Sequence, residues 1–236
     1  MRRIQSKWLN VTSESVKLGI LLAFVGGFLD AYTFISRDGV FANAQTGNIV
    51  LLGVQIAQGA WQQALLHVPP ILAFMIGVIV SESFKHPSMQ RVFRDPARAI
   101  LLLESIVLVL VGILPASVPN MVVTVTIAFV ASVQVSTFRK LGNWPYNTTM
   151  TTGNLRTAIQ AAYVTYVTHD RKAATQFRQF SEIIVSFLMG AVIGALLTQY
   201  WGTMAVWIAA VLLIFALFTL HNEQEILQDH NNAEAP

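Results

Sequence analysis

Cysteine is absent from all 236 residues, which excludes disulfides and thiolate metal sites and leaves the redox compartment unconstrained. Charge is also scarce. Charged residues make up 11% of the chain, against roughly a quarter in soluble domains, so a surface drawn from this composition cannot be wetted on all sides. Catalytic spacings are missing too. His67, His86, His169, His221 and His230 stand singly in or near loops and termini, no H-E-x-x-H occurs, and no serine sits in a readable nucleophile motif. An intramembrane protease or metalloenzyme therefore has little to stand on, and the expectation is a chain that is not an enzyme, with no cofactor and no metal.

What the chain has instead is apolar residues. They make up 54% of it, and the mean hydropathy is +0.57. The net charge of +3 does not point to nucleic acid, because the basic residues form short clusters between apolar runs. That is the pattern of cytoplasmic loops in a membrane protein. The run from Leu18 to Ile35 has no A-x-A site after it and reads as a retained membrane helix rather than a signal peptide.

A spanning helix needs roughly 20 mostly apolar residues. Six segments meet this well: 17–36, 64–84, 98–117, 120–138, 180–200 and 203–222. Two more, 40–60 and 144–167, are more polar. Basic residues decide whether these two cross. With a cytoplasmic N-terminus carrying Arg2, Arg3, Lys7 and Lys17, eight crossings put Lys85, Arg91, Arg94, Arg98, Arg139 and Lys140 outside. Six crossings put them inside with Arg171, Lys172 and Arg178, and leave the outer loops 115–119 and 200–204 uncharged. Only Arg37, beside Asp38, is then on the wrong side. Six crossings satisfy the rule better, and the two polar segments become re-entrant, dipping in and returning. The tryptophans Trp8, Trp61, Trp144, Trp201 and Trp207 fall near span ends, as interfacial anchors do.

The two dipping segments share Thr46-Gly47-Asn48 and Thr152-Gly153-Asn154. Upstream, Ala23-Phe24-Val25 matches Ala128-Phe129-Val130. Downstream, Ala73, Phe74, Gly77 and Ser81 match Ser186, Phe187, Gly190 and Gly194. Landmarks in one order at similar offsets indicate a duplication, and small residues four apart give each helix a flat packing face. Three spans per repeat is an odd number, so the second copy must be inverted, an arrangement that puts functional sites near the midplane. The chain divides into a cytoplasmic segment 1–16, membrane repeats 17–117 and 118–222, and a disordered cytoplasmic tail 223–236.

Within each dipping segment, residues 39–45 and 142–151 read as irregular and 49–59 and 155–166 as short helices. Thr-Gly-Asn thus marks a helix start, where Thr and Asn are good N-caps. Irregular backbone at membrane depth lines a cavity or is buried in protein, and two facing helix starts would suit an anion. The competing reading is a tightly packed loop. Asp30, in the middle of the first span, is a functional candidate because an intramembrane acid is costly, or else a structural partner of Arg156. Asn43 and Gln134 complete the candidate substrate-binding set with Asp30, Thr46, Gly47, Asn48, Thr152, Gly153, Asn154 and Arg156. Glu104, about two turns into its span, is a possible second buried acid.

The stretches GGFLDAYTF (26–34) and GVFANAQTGNIVLLG (39–53), with Val133-Gln134 and Thr148–Asn154 in the second half, resemble the signature of the YoaK-like proteins, a family of bacterial inner-membrane proteins of unknown function. The resemblance runs from about 17 to 222. Val133 and Val135 stand where the family pattern around Gln134 has Gly and Asn. It implies a multi-pass protein of the bacterial inner membrane and no particular substrate.

The reading at this stage is an all-α integral membrane protein with six transmembrane helices, two re-entrant half-helices and an inverted 3+3 repeat, with both termini cytoplasmic. Its expected function is a transporter or channel for a small polar or anionic solute, with a midplane site at the two TGN helix starts. The alternative is a non-transporting membrane scaffold or regulatory protein. The expected partners are the lipid bilayer and the solute, not nucleic acid, with homo-oligomerisation left open.

Overall fold

The computed structural model describes residues 15–84, 86, 95–115, 117–141 and 144–218. The basic residues at 2, 3, 7, 85, 91 and 94 and the tail expected at 223–236 lie outside them. The elements are α1 (Val16–Ser36), α2 (Gln45–Ala57), α3 (Trp61–Leu66), α4 (Val68–Phe84), α5 (Pro96–Ile113), α6 (Asn120–Thr137), the two-residue strands β1 (Lys140–Leu141) and β2 (Trp144–Pro145), α7 (Thr151–Thr168), α8 (Arg171–Trp201) and a 3₁₀ turn (Gly202–Ala205). Residues 206–218, here α9, are helical again. The antiparallel pairing of β1 and β2 is a small departure from an all-α expectation.

Among the described residues, five segments are long and apolar enough to cross a membrane: Val16–Ser36, Trp61–Phe84, Pro96–Ile113, Asn120–Thr137 and Arg171–Phe218. The last is 48 residues long, and the chain reverses inside it. Gly202 takes φ +58°, a left-handed value that glycine adopts without a Cβ penalty. Beyond it, Trp207 Nε1 donates to the Val109 carbonyl at 3.3 Å, and Phe215 and Ala216 lie beside Lys17 and Leu18.

The helix starts have local causes. Asp95 accepts from the Arg98 N–H at 3.2 Å ahead of Pro96. Asp170 accepts from the Lys172 N–H at 2.8 Å, so α8 begins nine residues before the span expected at 180. Helices α2 and α7 begin at Gln45 and Thr151, four residues earlier than expected, so each Thr-Gly-Asn lies inside the first turn. Their N-caps are Ala44 and Met150, neither with a side-chain cap bond. The expectation that Thr or Asn of the motif caps these helices is therefore corrected.

Two close helix pairs organise the molecule. Helix α8 runs parallel to α1: the Ser186 hydroxyl donates to the Ile20 carbonyl at 2.7 Å, a Cβ on Gly190 would collide with the Phe24 carbonyl, and one on Gly194 would come within 2.7 Å of the Phe28 carbonyl. Helix α4 runs parallel to α6 in the same way. A Cβ on Gly77 would meet the Phe129 carbonyl at 2.6 Å, and Ser81 Oγ lies 3.2 Å from Thr137 Oγ1. Contact this close needs small residues at the crossing, as the four-residue spacing predicts. The core joins Leu22, Phe28 and Leu29 of α1 to Leu101 and Leu108 of α5, Ile127 of α6 and Leu213 of α9. The outer faces carry exposed Leu72 and Ile79 on α4, Ile106 and Leu110 on α5, and Val185 and Val192 on α8. Such faces suit lipid rather than water.

Arg37, the exception to the charge pattern, is only 5% exposed. Its Nη1 donates to Asn120 Oδ1 at 2.9 Å and its Nη2 to the Tyr32 hydroxyl at 3.1 Å. The Tyr32 hydroxyl in turn donates to the Thr203 carbonyl at 3.1 Å, and Asn120 Nδ2 donates to Asp38 Oδ1 at 2.9 Å. Arg37 is thus a structural clasp, its charge held in place by partners.

Candidate functional site

The turn Gly26–Asp30 of α1 is where the two irregular segments meet. From one side, Asn43 Nδ2 donates to the Gly26 carbonyl at 3.3 Å. From the other, Thr149 Cγ2 would stand 2.8 Å from a Cβ on Gly26, and the Thr148 carbonyl 3.8 Å from it. The missing Gly26 side chain makes room for this approach. Asp30 is 4% exposed, and its Oδ1 accepts from the N–H groups of Asn43 at 2.7 Å and Ala44 at 3.2 Å. The Thr33 hydroxyl accepts from the Ala42 N–H at 3.0 Å. Helix α1 therefore stitches the irregular segment down just before α2 begins.

The second half solves the same problem with other residues. The N–H groups of Thr149 and Met150, at the points equivalent to Asn43 and Ala44, are both bound at 3.0 Å by Asn147 Oδ1. A local amide oxygen replaces the carboxylate that α1 supplies in the first half, so Val135 can stand where Asp30 would be. The motif asparagines also match. Asn48 Oδ1 accepts from the Phe41 N–H at 3.0 Å, and its Nδ2 donates to the Phe41 carbonyl at 2.8 Å. Asn154 repeats this with Asn147, accepting from its N–H at 3.5 Å and donating to its carbonyl at 2.6 Å. Each asparagine closes a loop by bonding the residue seven positions before it. Asn48 Oδ1 also faces His67 Nδ1 at 3.2 Å.

Thr-Gly-Asn is thereby divided. Asn48 and Asn154 are buried, whereas Thr46, Thr152 and Gly153 are exposed and Gly47 is half-buried. Nothing lies within 4 Å of a Cβ placed on Gly153. The expected pair of Asp30 with Arg156 does not form. Asp30 takes backbone donors, and Arg156 stands exposed on α7, so that expectation is corrected. Gln134 is 2% exposed and Glu104 1%, which makes Glu104 a second buried acid.

Four buried oxygens around these groups have no hydrogen-bond partner among the described residues: Asp30 Oδ2, Asn43 Oδ1, Thr148 Oγ1 and Glu104 Oε2. All can accept. The donors behind the anion expectation are largely engaged, since the N–H groups before both helices already bind Asp30 or Asn147. Among the described residues no three His, Asp or Glu gather as a metal cluster. Sequence reasoning missed Asn147 and Thr148. The readable signal was spacing, because Asn147 precedes Asn154 by seven residues as Phe41 precedes Asn48.

Apolar helices with lipid-suited faces around a buried polar centre define a multi-pass membrane protein. Comparison with known families places the chain: residues 18–219 match the family described as a protein of unknown function, DUF1275, and the chain belongs to that family. It is also 24% identical over 206 residues to the UPF0700 transmembrane protein YoaK of Bacillus subtilis (strain 168), covering 84% of this chain and 91% of that protein. No solved structure matches.

Proposed function

We propose that the chain is a carrier or channel for a small polar solute, built from six spans, two re-entrant helices and an inverted 3+3 repeat, with both termini on the cytoplasmic side of the inner membrane. The observation that carries the functional reading is the meeting of two irregular segments with unpartnered buried polar atoms at the Gly26–Asp30 turn. Non-helical backbone at membrane depth is tolerated where it is buried in protein or lines a solute path, and intramembrane acids mark such paths.

Parity supports the six-span arrangement. Arg37, just past α1, bonds Asn120 at the start of α6, so the two lie on one side and an even number of crossings separates them. The α3–α4 segment and α5 supply two, and α2 would make three. Tyr32 near the end of α1 bonds Thr203 after α8. The α3–α4 segment, α5, α6 and α8 supply four crossings, and α7 would again make the count odd. Helix α2 has 13 residues, about 20 Å of rise, which is short of a hydrocarbon core of roughly 30 Å.

The inverted repeat draws support from exchange of partners. Under the duplication α1 corresponds to α6 and α4 to α8, so the α1–α8 and α4–α6 pairs map onto each other. So do the approaches of Gly190 to Phe24 and Gly77 to Phe129, and the two asparagine-closed loops. An anion is the less favoured solute, because the unpartnered buried atoms are acceptors. The scaffold alternative calls for a centre filled by Phe and Leu with Asp30 paired off, and Asp30 Oδ2 has no partner among the described residues.

Flux into proteoliposomes, measured over a panel of small neutral, cationic and anionic solutes, tests this reading. Uptake of at least one solute above protein-free vesicles is expected. No uptake across the panel, with protein shown to be folded and inserted, returns the chain to the scaffold reading.

A further inference from the structure

We propose that Asp30 Oδ2, Asn43 Oδ1 and Thr148 Oγ1 form a binding site for a small monovalent cation of the sodium type, at the turn of α1 where the two irregular segments meet. The proposal rests on the transport reading of that centre and names the ion that would be coupled there.

Three observations carry it. Asp30, Asn43 and Thr148 are only 4%, 6% and 1% exposed, and each has one side-chain oxygen without a partner. Buried polar groups in proteins are nearly always satisfied. Asn43 Nδ2 and the Thr148 carbonyl both reach Gly26, so unsatisfied oxygens on residues that three separate parts of the chain bring to one turn point to a ligand. The oxygens are also of one chemical kind. A carboxylate, an amide carbonyl and a hydroxyl are hard oxygen donors that suit alkali and alkaline-earth cations rather than transition metals. The single formal charge selects a monovalent ion. Calcium takes six to eight oxygens, typically with several carboxylates, and magnesium keeps its waters.

The third observation separates the role of the charge from the role of the fold. In the second half, Asn147 Oδ1 binds the two N–H groups that Asp30 Oδ1 binds in the first. A neutral amide oxygen is therefore sufficient to hold such a segment. The second oxygen and the negative charge of Asp30 are surplus to that task, and a desolvated cation accounts for both.

The test uses the full-length protein purified in sodium-free detergent, with thermal unfolding followed in sodium chloride and in choline chloride at matched ionic strength. Ligand that binds only the folded state raises the melting temperature saturably. The wild type should show this rise with sodium and not with choline. Asp30→Asn should fold and lose the sodium-specific rise. Thr148→Val, which removes a hydroxyl with no protein partner, should fold and show a weakened one. Equal behaviour in the two salts, or an undiminished sodium response in Asp30→Asn, overturns the proposal. If Asp30→Asn does not fold, an undiminished response in Thr148→Val overturns it. Flux assays separate the two readings. Sodium binding without any solute flux keeps the site and removes the transport reading, whereas flux indifferent to both sodium and Asp30→Asn keeps transport and removes the site.

Discussion

The contrast between Asp30→Ala and Asp30→Asn tests the account of the first irregular segment most directly. Alanine leaves the N–H groups of Asn43 and Ala44 without an acceptor in a buried setting. Each orphaned donor costs about 1–3 kcal/mol, so Asp30→Ala, which removes the same charge as Asp30→Asn, should be about 2–6 kcal/mol less stable than Asp30→Asn. Asparagine keeps an oxygen at the same point. It loses only the charge-assisted part of two bonds, from about 1.5–3 to about 0.5–1.5 kcal/mol each. Against that loss stands the relief of a charge that costs about 2.5–3.5 kcal/mol at the centre of a bilayer. The two nearly cancel, and in sodium-free buffer Asp30→Asn should unfold within about 1–2 kcal/mol of wild type. Asn147→Ala is the matching change in the second half and should resemble Asp30→Ala. Thermal unfolding read by fluorescence-detected gel filtration ranks the variants. If Asp30→Ala proves as stable as Asp30→Asn, the two backbone bonds do not hold the segment and the reasoning fails.

Glycine substitutions separate packing from site. Gly190→Ala and Gly77→Ala each drive a Cβ into backbone across a helix pair and should each cost about 1–3 kcal/mol or more in the same unfolding assay, while only one of them being harmful would count against equivalent crossings. Gly153→Ala meets nothing within 4 Å and should leave stability unchanged or raise it by up to about 1 kcal/mol; a large loss would mean that the start of α7 packs against something else. Single cysteines introduced into this cysteine-free chain at Lys140 and Lys172 should resist an impermeant external thiol reagent in intact cells, while those at Asp38 and Thr203 should react. Labelling at Lys140 would undo the six-span arrangement.

Much of the architecture was legible because its causes are local. Apolar length marked the spans, and four-residue spacing of Ala73, Gly77 and Ser81 marked a packing face without naming its partner. The helix start at Gln45 came out late because the N–H groups just before it are satisfied from a distance: Asp30 acts from thirteen and fourteen positions upstream, beyond any capping rule, whereas before Thr151 Asn147 does the same from two and three positions upstream. Asp30 and Arg156 looked like a pair because both are ionisable and both lie in segments expected at membrane depth. Charge alone carries no geometry, and the backbone donors found at Asp30 bind only its Oδ1. Arg37 looked misplaced for the opposite reason, since its neutral partners Tyr32 and Asn120 leave no signature in a charge count. Asn147 and Asn154 were readable as a pair only by comparing the repeats at a seven-residue offset.

The exchange of partners between halves bears on how this protein is made. Helix α1 is early in synthesis, yet the face that carries Gly27 waits for α8, and the Ser186–Ile20 bond joins residues 166 positions apart. At roughly 5–20 residues per second, some ten to thirty seconds of translation separate those two residues. Over that interval α1 resides in the bilayer or at the insertion machinery with its Gly27 face uncovered by its final neighbour. Helix α4 likewise precedes α6, though by a shorter stretch of chain. Neither half contains both members of a close pair, so a nascent chain halted after α5 would have no stable stopping point, and premature termination should yield fragments that quality-control proteases clear rather than a surviving half-protein.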